Sequence, residues 1–180
     1  MEYIEVTGGN PLRGSIRPAA AKNSVLPLLA ATLLCAQPCT LRRVPLLRDV
    51  QTSLDLLRAV GSGAAWAGQD LATQPARQIS GRVPTALAGA MRGSVFYLAP
   101  LLTRAGWAEL PLPGGCRLGP RPIDIHLAGL TAMGAQVCAA AECVVLRRHG
   151  VLRGTDFALR LPSVGATLTL MLAACCAAGV

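Results

Sequence analysis

Between Leu110 and Leu127 the chain reads Leu-Pro-Leu-Pro-Gly-Gly-Cys-Arg-Leu-Gly-Pro-Arg-Pro-Ile-Asp-Ile-His-Leu. This stretch carries a thiol at Cys116, guanidiniums at Arg117 and Arg121, a carboxylate at Asp124 and an imidazole at His126. Gly114, Gly115 and Gly119, interleaved with Pro111, Pro113, Pro120 and Pro122, exclude a regular helix or central strand and predict a loop with fixed bends. Paired glycines let backbone N–H groups approach a ligand, and arginines beside a thiol favour a thiolate or a bound anion. The stretch has the chemistry of an anion site, or else it is a proline-rich surface connector with an incidental cysteine.

A second cation stands apart. Lys22 is the only lysine among the 17 Lys and Arg residues, which suggests a position that needs a compact ammonium and not a planar fork. Lys22, Asn23 and Ser24 precede the apolar run Val25 to Cys35, which reads as a fully buried helix with Pro27 in its first turn. Free N–H groups, the positive end of the helix dipole and the ammonium would together receive phosphate or carboxylate. Asn23 and Ser24 also suit plain N-capping, which needs no ligand.

Composition narrows the partners. With 180 residues, 52% of them apolar and 14% charged, the chain has ample core for one ordinary domain or half of a larger protein. The net charge of +8 fits nucleic acid, an anionic membrane surface or acidic small molecules. Arginines scattered in ones and twos form no basic stripe, and aromatics at 3% provide no stacking platform. Phosphorylated metabolites fit better than nucleic acid. Seven cysteines without framework spacing, and no secretory signal before them, predict a reduced, cytoplasmic protein without disulfides. No zinc-ligand spacing occurs, so no metal is expected. The run Val164 to Val180 falls short of the about 20 apolar residues of a membrane span.

The elements that would position these groups follow in order. Tyr3 to Val6 and Leu12 to Ile16 read as a strand pair. After the first buried helix come a strand from Cys39 to Val44 and an amphipathic helix capped by Asp49 and closed by Gly61. One or two short strands lie around Gly68 and Ile79. A second buried element runs from Pro84, with Met91-Arg92-Gly93-Ser94 leading Val95 to Leu102 and a stop at Gly106; a strand from Trp107 to Leu112 then feeds the loop. Beyond it lie a helix from Ile125 to Met133, strands at Val137, Cys143 to Leu146 and Phe157 to Leu161, and a third buried helix opened by Ser163-Val164-Gly165-Ala166-Thr167. Buried helices with polar starts near residues 23, 93 and 165 recur at about 70-residue intervals, the pattern of an internal repeat cut off after the first helix of its third copy.

Seven motifs then line up: Val6-Thr7-Gly8-Gly9, Ala21-Lys22-Asn23 with the following Leu26 to Ala31, Val44-Pro45, Met91 to Ser94, Pro113-Gly114-Gly115-Cys116, Arg121-Pro122-Ile123-Asp124 and Ser163 to Thr167. In order and spacing they resemble the UDP-N-acetylglucosamine 1-carboxyvinyltransferase family of enolpyruvyl transferases, over essentially the whole chain. The resemblance implies an α/β fold, an inside-out α/β barrel built of repeated βαβαββ-type units and truncated here in the third repeat. It implies that residues 1–20 are strands packing with a second domain absent from this chain, and that residues 21–180 are most of the first domain, incomplete at its C-terminal end.

The activity so implied is transfer of the enolpyruvyl group of phosphoenolpyruvate to the 3-hydroxyl of UDP-N-acetylglucosamine with release of phosphate, the first committed step of peptidoglycan synthesis, without cofactor or metal. Cys116 matches the proton donor to carbon. Lys22, Asn23, Arg92 and Arg121 match phosphoenolpyruvate ligands. Asn23, Arg92, Arg121, Pro122, Ile123, Asp124, Ile125, Ser163, Val164 and Gly165 match positions that hold the nucleotide sugar. The sequence departs from the family at Pro18-Ala19, where Ser-Gly is usual, and at Leu161, where some members have a lysine near the nucleotide. The family's catalytic aspartate and further arginines belong to the half that is not in this chain, so the expectation is an inactive N-terminal fragment. The alternatives are the sister enzyme acting on shikimate 3-phosphate and a non-catalytic fragment that binds UDP-sugar.

Overall fold

A computed structural model of the chain describes residues 3–11, 13–18, 20–111, 122–139 and 143–179. Helix α1 (Lys22–Ala31) runs into a 3₁₀ turn (Thr32–Leu34), followed by strand β1 (Cys39–Leu41) and helix α2 (Arg48–Ala59). Strands β2 (Gly63–Ala67) and β3 (Asp70–Gln74) form a hairpin whose turn uses Gly68 at φ 66°, a left-handed conformation that glycine adopts without strain. A short helix α3 (Thr85–Ala90) precedes a 3₁₀ segment (Arg92–Tyr97) that continues as α4 (Leu98–Ala105). Strand β4 (Trp107–Pro111), helix α5 (Asp124–Ala132), the hairpin β5 (Ala135–Ala139) and β6 (Cys143–Arg148), and helix α6 (Val164–Ala174) complete the order.

The two sheets share one plan. β1 pairs with β3, and β3 with β2; likewise β4 pairs with β6, and β6 with β5, all antiparallel. In each case a strand leads through a helix to a hairpin whose second strand lies in the middle. The recurrence expected from the sequence is thus visible as topology for these two units. Leu71, opposite both Leu41 and Trp66, is fully buried, as are Leu110 and Leu146 on the second sheet.

Helix α1 packs on the 3₁₀ segment and on α2, while α6 packs on the 3₁₀ segment, α4 and α5. Leu29, Leu33, Leu54, Leu57, Leu98, Leu101 and Leu102 are buried in this core, each contributing about 1.5–3 kcal/mol of hydrophobic stabilisation. Its largest fully buried side chain is Tyr97. The phenol donates to the Ser53 carbonyl at 3.1 Å and lies 2.6 Å from the Ser53 hydroxyl. Burial raises the phenol pKa well above its ordinary range, so Tyr97 serves as a protonated tie between α2 and the 3₁₀ segment.

Several expectations are corrected. The described residues between Tyr3 and Ile16 form no strand, and Tyr3, Ile4, Val6 and Ile16 are almost wholly exposed, because alternating residues need a ladder partner and an isolated ribbon has little stability. The first helix starts at Lys22, so Pro27 falls in its second turn and removes the N–H that the Asn23 carbonyl would otherwise use. It is not buried all round, since Leu28 is 52% exposed. Its N-cap is Ala21, without a side-chain bond, so neither Asn23 nor Ser24 caps it. Asp49 is likewise no cap: Leu47 occupies that position and Asp49 sits in the first turn of α2. β1 ends at Leu41 and not Val44 because Arg43 turns left-handed at φ 53°, its N–H held by Asp70 at 2.7 Å. No strand forms at Ile79 or from Phe157 to Leu161. The third helix buries only one side, Val164 and Met171 being exposed. Leu12 and Leu112, given to strands by the pattern, lie outside the described residues.

Candidate functional site

Three of the residues expected to meet substrate open helices. Lys22 is the first residue of α1, Arg92 the first of the 3₁₀ segment leading into α4, and Val164 the first of α6. Ser163 is the N-cap of α6 and accepts a hydrogen bond from the Ala166 N–H at 3.2 Å, as the residue type and its place before an apolar run require. The positive end of an 11-residue helix is therefore fixed at Ser163, Val164 and Gly165.

Helix α5 brings the next group. Pro122 is exposed, Ile123 is buried at its N-cap, Asp124 opens its first turn and Ile125 is half-buried. Asp124 pairs with Arg160, two exposed groups whose link contributes little to stability. His126 is only 5% exposed, and its Nδ1 lies 2.9 Å from the Thr169 hydroxyl of α6. Gly165 makes this packing possible: a Cβ there would stand 3.2 Å from His126 Cε1 and 3.3 Å from Nε2. Burial, and next the charge of Arg92, push His126 down to about 4, against a smaller opposing effect of Asp124. The imidazole is therefore neutral at pH 7.

The structure thus sets Asp124 and His126 of α5 beside the α6 N-terminus, with the charge of Arg92 acting on the imidazole. Lys22 is paired with Asp49, its ammonium 3.1 Å from that carboxylate, and Asn23 is exposed beside it. Cys116, Arg117 and Arg121 lie outside the described residues; the chain leaves β4 at Pro111 and re-enters at Pro122, at the start of α5. Sequence reasoning named His126 but gave it no role, and it assigned nothing to Thr169 or to the partnership of Asp49 with Lys22. A hydroxyl within an apolar helix was the available signal for Thr169, but its partner is 43 residues distant. Among the described residues no group of three or more His, Cys, Asp or Glu side chains could hold a metal ion. Among them, too, no helix is long and apolar enough to cross a membrane.

Two three-stranded antiparallel sheets with helices in this order make up a fold shared with enolpyruvyl transferases. The enolpyruvyl transferase NikO from Streptomyces tendae superposes with a TM-score of 0.75 at 22% identity, over 92% of this chain and 39% of that one. EPSP synthase from Acinetobacter baumannii superposes with a TM-score of 0.72 at 14% identity, over 91% of this chain and 38% of that one. These likenesses establish the fold.

The family model for EPSP synthase (3-phosphoshikimate 1-carboxyvinyltransferase) matches residues 6–180, and the chain belongs to that family. Within it, UDP-N-acetylglucosamine 1-carboxyvinyltransferase 1 of Carboxydothermus hydrogenoformans is 42% identical over 99% of this chain and 42% of the relative. The UDP-N-acetylglucosamine 1-carboxyvinyltransferase of Halorhodospira halophila is also 42% identical, over 99% of this chain and 43% of the relative. The chain spans about two fifths of the length of the curated relatives it matches.

Proposed function

We propose that this chain contributes one side of the active site of a transferase that moves the enolpyruvyl group of phosphoenolpyruvate to the 3-hydroxyl of UDP-N-acetylglucosamine, releasing phosphate for peptidoglycan synthesis. The observation that carries the reading is the Ser163-capped N-terminus of α6 packed against His126 of α5, a ring that feels the charge of Arg92. A nearby arginine charge and free helix N–H groups suit a diphosphate. Identity of about 40% to nucleotide-sugar transferases, against fold-level likeness to EPSP synthase, favours the nucleotide sugar over shikimate 3-phosphate.

In this reading Pro122, Ile123, Asp124 and Ile125 hold the uridine, and Ser163, Val164 and Gly165 the diphosphate. Lys22, Asn23, Arg92 and Arg121 bind phosphoenolpyruvate and steady charge in the tetrahedral adduct. The sugar hydroxyl gives its proton to a base and attacks C2 while the Cys116 thiol protonates the C3 methylene; loss of a C3 proton to a base then re-forms the C2–C3 double bond as the C2–O bond to phosphate breaks. A positioned donor with pKa near ambient pH suits that protonation. The chain supplies binding and the acid thiol, residues 1–20 pack with a second domain, the helices and sheets form part of an inside-out barrel, and the protein works in the cytoplasm. Turnover by these 180 residues unaided is not expected.

Calorimetric titration with UDP-N-acetylglucosamine and with shikimate 3-phosphate, followed by fosfomycin labelling and mass spectrometry, tests the proposal. Saturable binding of the nucleotide sugar and alkylation at Cys116 are expected. Binding of shikimate 3-phosphate alone would reverse the assignment, and a chain that binds the nucleotide sugar yet leaves Cys116 unlabelled would remove its role as acid.

A further inference from the structure

None of the roles above uses the imidazole of His126, although it is the most confined titratable group on the α5–α6 seam. The ring touches α6 at two points one turn apart. Nδ1 meets the hydroxyl of Thr169 at 2.9 Å, and the Cε1 and Nε2 edge lies against Gly165, where a Cβ would stand 3.2 and 3.3 Å from those atoms, closer than ordinary van der Waals contact. Thr169 is fully buried, so its hydroxyl would go unsatisfied without His126, at a desolvation cost of about 1–3 kcal/mol. The Arg92 guanidinium and the Asp124 carboxylate are the charged groups that act on the ring.

This geometry couples two segments that sequence alone leaves separate. His126 belongs to the first turn of α5, directly after Pro122 to Ile125; Gly165 and Thr169 belong to the first two turns of α6, directly after Ser163. A neutral imidazole offers one donor and one acceptor. With Nδ1 engaged by Thr169, Nε2 is left at the mouth of the α6 N-terminus. A ring clamped in this way fixes the distance between the two segments and the direction of the helix amides. Ordering a receptor before ligand arrives lowers the cost of binding.

We infer that His126 is a positioning residue: clasped by Thr169 and admitted by Gly165, it locks the first turn of α6 to α5 so that both segments present one rigid receptor to the diphosphate of a nucleotide. This deepens the nucleotide-sugar reading and rests on it.

The test uses the full chain and three ligands, uridine, UDP and UDP-N-acetylglucosamine, titrated calorimetrically. Thr169→Val removes the hydroxyl without changing the volume, and His126→Leu removes both ring nitrogens. Each is expected to weaken UDP and UDP-N-acetylglucosamine about three- to tenfold, as loss of one such bond implies, and to lower the UDP-to-uridine affinity ratio by the same factor. Thr169→Ser and His126→Asn, which keep the hydroxyl and a polar atom near Nδ1, are expected to recover most of the affinity. A nitrogen-detected imidazole spectrum of the unsubstituted protein gives a readout that survives any folding defect in the variants. It should show a single neutral tautomer whose Nε2 resonance moves with UDP but not with uridine. Unchanged UDP affinity in Thr169→Val and His126→Leu, equal losses for uridine and UDP, or an Nε2 resonance indifferent to UDP would each overturn the inference while leaving the nucleotide-sugar reading intact. Failure of the unsubstituted chain to bind UDP or UDP-N-acetylglucosamine would overturn both.

Discussion

The ammonium of Lys22 lies 3.1 Å from the Asp49 carboxylate, joining the first residue of α1 to the first turn of α2. Half of the Lys22 side chain is exposed and about a third of that of Asp49, so the pair sits in high dielectric and contributes no more than about 0.5 kcal/mol. Its consequence is placement. Asp49 holds the chain's only lysine at a helix N-terminus, where in the proposed reading the phosphate of phosphoenolpyruvate would compete with this carboxylate. Asp49→Asn should therefore lower the melting temperature by less than about 2 °C and strengthen binding of phosphoenolpyruvate. Lys22→Arg should weaken it, because a planar fork does not replace a compact ammonium. A thermal melt and a phosphoenolpyruvate titration in the presence of UDP-N-acetylglucosamine check both; weaker binding in Asp49→Asn would mean that the carboxylate orients Lys22 for the phosphate and does not compete with it.

The Tyr97–Ser53 tie predicts a larger effect on stability with none on binding. Tyr97→Phe leaves the Ser53 hydroxyl and carbonyl without the phenol that now satisfies both, inside a fully buried site. A loss of about 1–3 kcal/mol is expected, read as a lower denaturant midpoint with an unchanged slope. A loss below about 0.5 kcal/mol would indicate that water replaces the phenol there.

These two pairs illustrate what the sequence could and could not convey. Glycine stops at Gly61, Gly106 and Gly134 were legible, and all three have positive φ, so helix ends and the recurrence of units could be read locally. The polar starts of the three central helices were legible for the same reason. Strand assignments at Tyr3 to Val6 and Phe157 to Leu161 failed because a period of two describes a side chain's faces and not the presence of a neighbour. Pairings such as Lys22 with Asp49 and His126 with Thr169 were invisible: they join different helices, and the partner's position depends on how those helices pack.

The buried imidazole makes stability depend on acid. His126 has an ordinary value near 6.5 and is pushed down to about 4 in the fold by burial and by Arg92, Asp124 opposing. Above pH 6.5 the ring is neutral whether folded or not, and titration costs nothing. Between about 6.5 and 4 the unfolded chain takes up a proton that the folded chain refuses, so stability falls as pH falls, by on the order of 2 kcal/mol. Urea midpoints across that window should decline in the unsubstituted protein and decline less in His126→Asn. Parallel declines in the two proteins would assign the pH dependence to other groups.

Two glycines that look alike in sequence should behave differently on substitution by alanine. A Cβ at Gly81 would lie 2.6 Å from the Trp107 carbonyl oxygen and as close to the indole ring. Backbone there is fixed by the bond from the Glu109 N–H to the Gly81 carbonyl at 2.8 Å, so β4 itself would have to shift. A Cβ at Gly129 would meet only the end of the Leu170 side chain, at 2.5 Å. Leu170 lines an open cleft with Met133, Phe157 and Met171, into which it can turn. Gly81→Ala should therefore cost more than about 3 kcal/mol and Gly129→Ala about 1 kcal/mol. Parallel denaturation curves decide the matter: equal losses would show that the α5–α6 seam is packed as rigidly as the edge of the second sheet.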